Sequence, residues 1–99
     1  MENSQNSASK TDQYKFILFI SGMSTKSSHA IENLRKITEK YFSSIDLQII
    51  DIRTEQQKAV EYQILAVPTL IKIAPGPVRI ILGDLSDTEK VLRILDITE

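Results

Sequence analysis

Few side chains in this sequence could carry chemistry, and their spacing argues against most reactions. The densest polar stretch, Ser21-Gly22-Met23-Ser24-Thr25-Lys26-Ser27-Ser28, sits between an apolar run and a helical pattern. Its Lys26-Ser27 ending has the form of a phosphate loop, yet the glycines such a loop needs are Ile20 and Thr25 here. A helix start with free backbone donors attracts anions, but most such starts are capped and solvated, and that reading suffices here. His29 is the sole histidine. A general base needs a nucleophile and an orienting partner, and a metal ion needs further ligands. In the first turn of a helix His29 reads as a solvated surface residue. Asp51 and Asp84 end apolar runs, where carboxylates close ladders or cap turns, and nothing in the sequence pairs them. Lys72 and Arg79 read as solvated charges on a hairpin, and Tyr14, Tyr41 and Tyr62 as residues at the rim of the core. With no cysteine, disulfides, thiolate metal sites and thiol exchange are excluded. The expectation is a protein that is not an enzyme and carries no catalytic, cofactor or metal site.

The elements that would position these residues follow from the apolar pattern. Residues 1–13, MENSQNSASKTDQ, hold no large apolar side chain and are expected to be a disordered tail, with one domain over 14–99. Tyr14 to Ile20 is a nearly continuous apolar run, the mark of a strand covered on both faces. Gly22 to Ser28 reads as a loop. Ala30, Ile31, Leu34, Ile37 and Tyr41 then recur at helical spacing, which predicts a helix from about Ser28 to Phe42. Ile45 to Ile52 reads as a second strand nearer a sheet edge, and residues 54–63 as a short, weakly amphipathic helix. In ILAVPTLIKI, Pro68 cannot donate to a ladder, so it marks the mouth of a strand from Thr69 to Ile73. The turn Ala74-Pro75-Gly76-Pro77 separates that strand from another over Val78 to Leu82. Ser86-Asp87-Thr88-Glu89 reads as a capping box opening a last helix with Val91, Leu92 and Leu95 on its apolar side.

Strand, helix, strand with short connections makes a parallel, right-handed unit. The order βαβαββα is a thioredoxin-like α/β layout with a four-stranded mixed sheet. Val91 to Ile97, VLRILDI, is the ambiguous part: its β-branched residues suit a strand as well as a helix. Charge narrows the partners. With 12 basic and 13 acidic side chains the net charge is -1, so neither nucleic acid nor an acidic membrane is favoured. No apolar run reaches spanning length and no signal-peptide pattern opens the sequence, which fits a cytoplasmic protein.

The blocks Tyr14 through Gly22, ILAVPTL at 64–70, PGPVR at 75–79, GDLSD at 83–87 and EKVL at 89–92 resemble the KaiB family of circadian clock proteins. The resemblance runs from about residue 14 to residue 97. It extends to the sensor domain of the clock histidine kinase SasA, a relative with the same fold. It implies a regulatory protein that docks on a KaiC-type ATPase ring, competes there with SasA and in full clocks captures KaiA. It also implies a resting homodimer or homotetramer with a different fold in the C-terminal half, switching to a thioredoxin-like monomer. Carried onto this sequence, the ring-facing residues are Leu47, Gln48 and Gln63, and the fold-switch residues are Pro68, Ile94 and Asp96. Three departures stand out. Gln48 and Gln63 stand where the family commonly has lysines, Ile94 where it often has glycine, and the sequence stops at Glu99 without the family's tyrosine and acidic tail. The alternative is a SasA-like or thioredoxin-like adaptor that never changes fold and has no redox activity.

Overall fold

The computed structural model describes residues 13–97. The expected disordered tail therefore lies outside the described residues, apart from Gln13. The elements run β1 (Tyr14–Ile20), α1 (Thr25–Tyr41), β2 (Ile45–Asp51), α2 (Gln56–Glu61), β3 (Thr69–Ala74), β4 (Arg79–Leu82) and α3 (Thr88–Ile94). They form the expected thioredoxin-like α/β fold, with a four-stranded sheet in the order β2-β1-β3-β4. β1 pairs parallel with β2 and antiparallel with β3, and β3 pairs antiparallel with β4.

The run YKFILFI explains why β1 is central. From Phe16 to Ile20 every residue is buried, which only a strand covered on both faces and paired on both edges allows. Alternation divides its side chains between two cores. Phe16, Leu18 and Ile20 join Ala30, Leu34 and Ile37 of α1, Leu70 of β3, and Val91 and Leu92 of α3. On the opposite face Ile17 and Phe19 meet Ile50 and Ile71, with Ile52, Ile64 and Val67 packed against them. That second core is thinner because α2 buries none of its own residues. Its roof is the segment after α2, where Tyr62 sets its ring 5.5 Å from that of Phe19.

Several local expectations change. The helix expected from Ser28 begins at Thr25, because Ser24 accepts a hydrogen bond from the Ser27 N–H and caps it. The helix expected over 54–63 shortens to α2, since Thr54 and Glu55 turn their N–H groups onto the Asp51 carbonyl. It ends at Gln63, which takes φ +56°, while Ile64 N–H closes on Ala59 O at 2.9 Å. This is a left-handed helix stop of the type glycine usually serves. The capping box at Ser86 and Glu89 does not form. Asp87 is the cap, accepting from Lys90 N–H at 3.1 Å, and Ser86 N–H instead donates to the Asp84 carboxylate. The ambiguous VLRILDI segment is helical through Ile94. Lys72 is not a solvated charge: it is 3% exposed, on the sheet face that α1 and α3 cover. Pro68 stands at the mouth of β3, after a cis peptide bond, and its carbonyl accepts from Gly83 N–H at 2.9 Å.

Candidate partner-binding surface

In the loop after β1 a buried hydroxyl serves the backbone. Ser27 is buried, and its hydroxyl oxygen accepts from Ser21 N–H at 3.1 Å. Asp51, at the end of β2, accepts from Gly22 N–H at 3.1 Å and from Arg53 N–H at 2.9 Å, and its second oxygen meets the Arg53 guanidinium at 3.2 Å. The Arg53 side chain lies over Gly22, where a Cβ would clash with it, and Gly22 takes φ +57°, which suits a residue without Cβ. The loop is thus tied to the end of β2. His29 is exposed, and no group of three or more histidine, aspartate or glutamate residues able to hold a metal occurs among the described residues. Asp84 likewise serves a turn through Ser86 N–H, as its position at the end of a run predicts.

The Arg53 side chain, then the backbone N–H of Arg53 and of Gly22, hold the Asp51 carboxyl below its ordinary value of 3.8, against a smaller opposing effect of desolvation. A lowered carboxyl stabilises the fold fully above that ordinary value and loses the contribution as pH falls through the folded value. Stability should therefore drop below pH 3.8 more steeply in the parent than in Asp51→Asn, a difference that urea midpoints across the acid range would measure. Parallel acid limbs would show that the tie contributes nothing.

The residues expected to face a partner are only partly gathered. Gln48 and Gln63 are both exposed. Gln48 shares its sheet face with Asp46 and Ile50, the face roofed by the segment after α2. There a shallow hollow of about 190 Å³ is lined by Lys15, Asp46, Gln48 and Tyr62, among others. Gln63 follows Tyr62 directly and lines a neighbouring open hollow with Val60, Ile64 and Leu65. Leu47, 37% exposed, points to the opposite face by strand alternation. The structure therefore brings Gln48 and Gln63 to one side of the sheet and sets Leu47 on the other, at the same edge.

The sequence reading missed the apolar part of this surface. Val60 is 75% and Leu65 97% exposed, flanking Gln63. The available signal was α2 itself, whose apolar residues are too few to form a buried stripe. Ile94 is half-buried against the larger core, and Asp96 ends the α3 region with φ +62°. Neither touches the Gln48–Gln63 surface by any contact described.

Comparison with known proteins agrees with this fold and with the blocks that carry the resemblance. A family model described as the KaiB domain matches residues 17–97. The circadian clock oscillator protein KaiB of Prochlorococcus marinus (strain MIT 9312) is 47% identical over 85 residues, covering 85% of this chain and 81% of that protein. Its counterpart from Nostoc sp. is 46% identical over 93 residues, covering 93% of this chain and 84% of that protein. Among solved structures, the N-terminal domain of Synechococcus elongatus SasA superposes with a TM-score of 0.73 at 23% identity, covering 100% of this chain and 96% of that one. Mitochondrial thioredoxin 3 of Saccharomyces cerevisiae gives 0.69 at 20% identity, over 87% of this chain and 80% of that one. At those identities the two structures speak for the fold alone, whereas the family model and the relatives speak for descent: the chain belongs to the KaiB family.

Proposed function

We propose that this chain is a non-enzymatic regulator that binds a KaiC-type ATPase ring in circadian or related stress and timing signalling. The relatives named as circadian clock oscillator proteins support a clock role. The observation that carries the binding reading is the exposed strip from Gln48 across Tyr62 to Gln63, bordered by Val60 and Leu65. Exposed apolar side chains beside polar ones are what a protein partner covers. Further partners on this reading are KaiA and a SasA-type kinase as competitor, with a homodimer or homotetramer as the resting form in the cytoplasm. Pro68, Ile94 and Asp96 are the positions at which the C-terminal half would change fold.

Association with a purified KaiC-type ATPase tests the reading. The resemblance implies an acidic ring face, so Gln48→Glu and Gln63→Glu should each weaken binding by about tenfold, or roughly 1.4 kcal/mol. Their circular dichroism should stay that of the parent. Parent-like affinity in both variants would move the interface elsewhere.

The second reading, a SasA-like adaptor that keeps one fold, is favoured by the close match of the observed fold to the SasA domain. Concentration-dependent size exclusion separates the two. A fold-changing protein forms a larger resting oligomer, and a fixed adaptor stays one species.

A further inference from the structure

A buried lysine stands inside the sheet with a second cation beside it. Lys72 of β3 is 3% exposed. Its neighbours across the ladder are Phe16 of β1 and Arg79 of β4, one on either side. Side chains directly opposite in this way start about 5 Å apart. Phe16 has no polar atom, Arg79 carries only donors, and the Tyr14 ring lies 5.7 Å from Lys72 Nζ. Arg79 in turn is only half served. Its Nη2 lies 3.3 Å from Asp96 Oδ2, and that carboxylate side chain is 63% exposed. Its Nε is buried, with no hydrogen-bond partner among the described residues. The place between the two side chains thus lacks an acceptor.

We infer that Lys72 is a carbon dioxide site: its amine takes up CO2 as a carbamate, whose oxygens accept from Arg79 Nε. The neutral amine attacks the carbon of CO2, and a C–N bond forms. One C–O π pair becomes a lone pair on oxygen, and the excess proton on nitrogen passes to water. Burial, followed by the nearby Arg79 charge, pushes the Lys72 ammonium below its ordinary pKa, against the effect of Asp96. The reactive amine form is favoured accordingly. CO2 is small and uncharged, so it enters a desolvated site without the cost that an ion meets there. The product replaces a like-charge contact between opposite residues with an attractive one. It also gives the buried Nε the acceptor whose absence costs stability. Nothing in the site depends on binding a KaiC-type ring.

NMR of the full chain, with isotope-enriched bicarbonate as the CO2 source and isotope-enriched lysine nitrogen, reads the bond directly. A carbamate carbon is split by the nitrogen it is bonded to, whereas bicarbonate or a merely bound anion gives an unsplit signal. One such split signal is expected in the parent and should vanish in Lys72→Met, which is similar in length and has no amine. Arg79→Gln removes the Nε donor and should lower the carbamate fraction by about tenfold at fixed CO2, as loss of a charge-assisted hydrogen bond does. The urea midpoint of the parent should rise with CO2 at constant pH, and that of Lys72→Met should not. A parent that shows no split signal would overturn the inference. So would a split signal that persists in Lys72→Met, as from exposed lysines, or one of parental intensity in Arg79→Gln.

Discussion

Replacing Phe19 by alanine is expected to remove about 3–5 kcal/mol of stability, the usual range for truncating a buried aromatic. Phe19 is 0% exposed and stands between Ile50 of β2 and Thr69 of β3 in the register of the sheet. It belongs to the thinner core, in which Ile17, Ile50 and Ile71 are the other buried members. So small a core has little material with which to fill the space left behind. The roof should loosen first, because Tyr62 rests on Phe19 and α2 buries no residue of its own. The urea midpoint measures the global loss, and exchange at the amides of residues 58–64 measures the local one. Since Gln63 and Tyr62 belong to that roof, the proposed function adds that the variant should bind a KaiC-type partner more weakly than its remaining folded fraction explains. A loss below about 1 kcal/mol would mean that the cavity collapses or fills, contrary to the close packing assumed.

Ile94→Gly should cost about 2 kcal/mol. Part is the poorer helix propensity of glycine, a few tenths of a kcal/mol against isoleucine, and the rest is the half-buried side chain lost from the larger core. Ile94 is the last residue of α3, two residues before the Asp96 stop, so the damage should stay in that helix. Backbone NMR shifts of residues 88–94 should lose helical character while those of β1, α1 and β2 hold. If the C-terminal half has a second arrangement, as the proposed function requires, glycine at this position should raise its population. Unmoved shifts together with an unmoved urea midpoint would show that Ile94 contributes to neither state.

The strands and the long helix were legible because their sequences carry one period each. YKFILFI admits only a doubly covered strand, and the spacing of Ala30, Leu34 and Ile37 admits only one helix face. The boundaries that moved are those set by single hydrogen bonds. Ser24 caps α1, which starts three residues before the expected position, and Asp87 takes the capping role that the Ser86-to-Glu89 spacing suggested. Pattern alone does not say which of several neighbouring polar side chains will reach a free N–H. Lys72 was misread for a different reason. Within TLIKIA its alternation marks the inward face, but a charged side chain carries a strong expectation of exposure. The face that Leu47 does not share with Gln48 follows from strand alternation and could have been read in advance. The exposure of Val60 was signalled only by the few apolar residues of α2, and that of Leu65 depends on how α2 ends at Gln63.

The order of the strands also bears on the speed of folding. β1, the centre of the sheet, pairs with no strand adjacent to it in sequence through a short turn. Its partners begin at Ile45 and Thr69, so placing it closes loops of roughly thirty and fifty residues, a slowly growing entropic cost that must be met before most contacts form. Only β3 and β4 meet across a short connection, 75–78. The barrier to folding thus lies in the capture of β1, and substitutions along it should retard folding. α3 is expected to dock late, onto a sheet already assembled, in which case changes there should act mainly on the rate of unfolding.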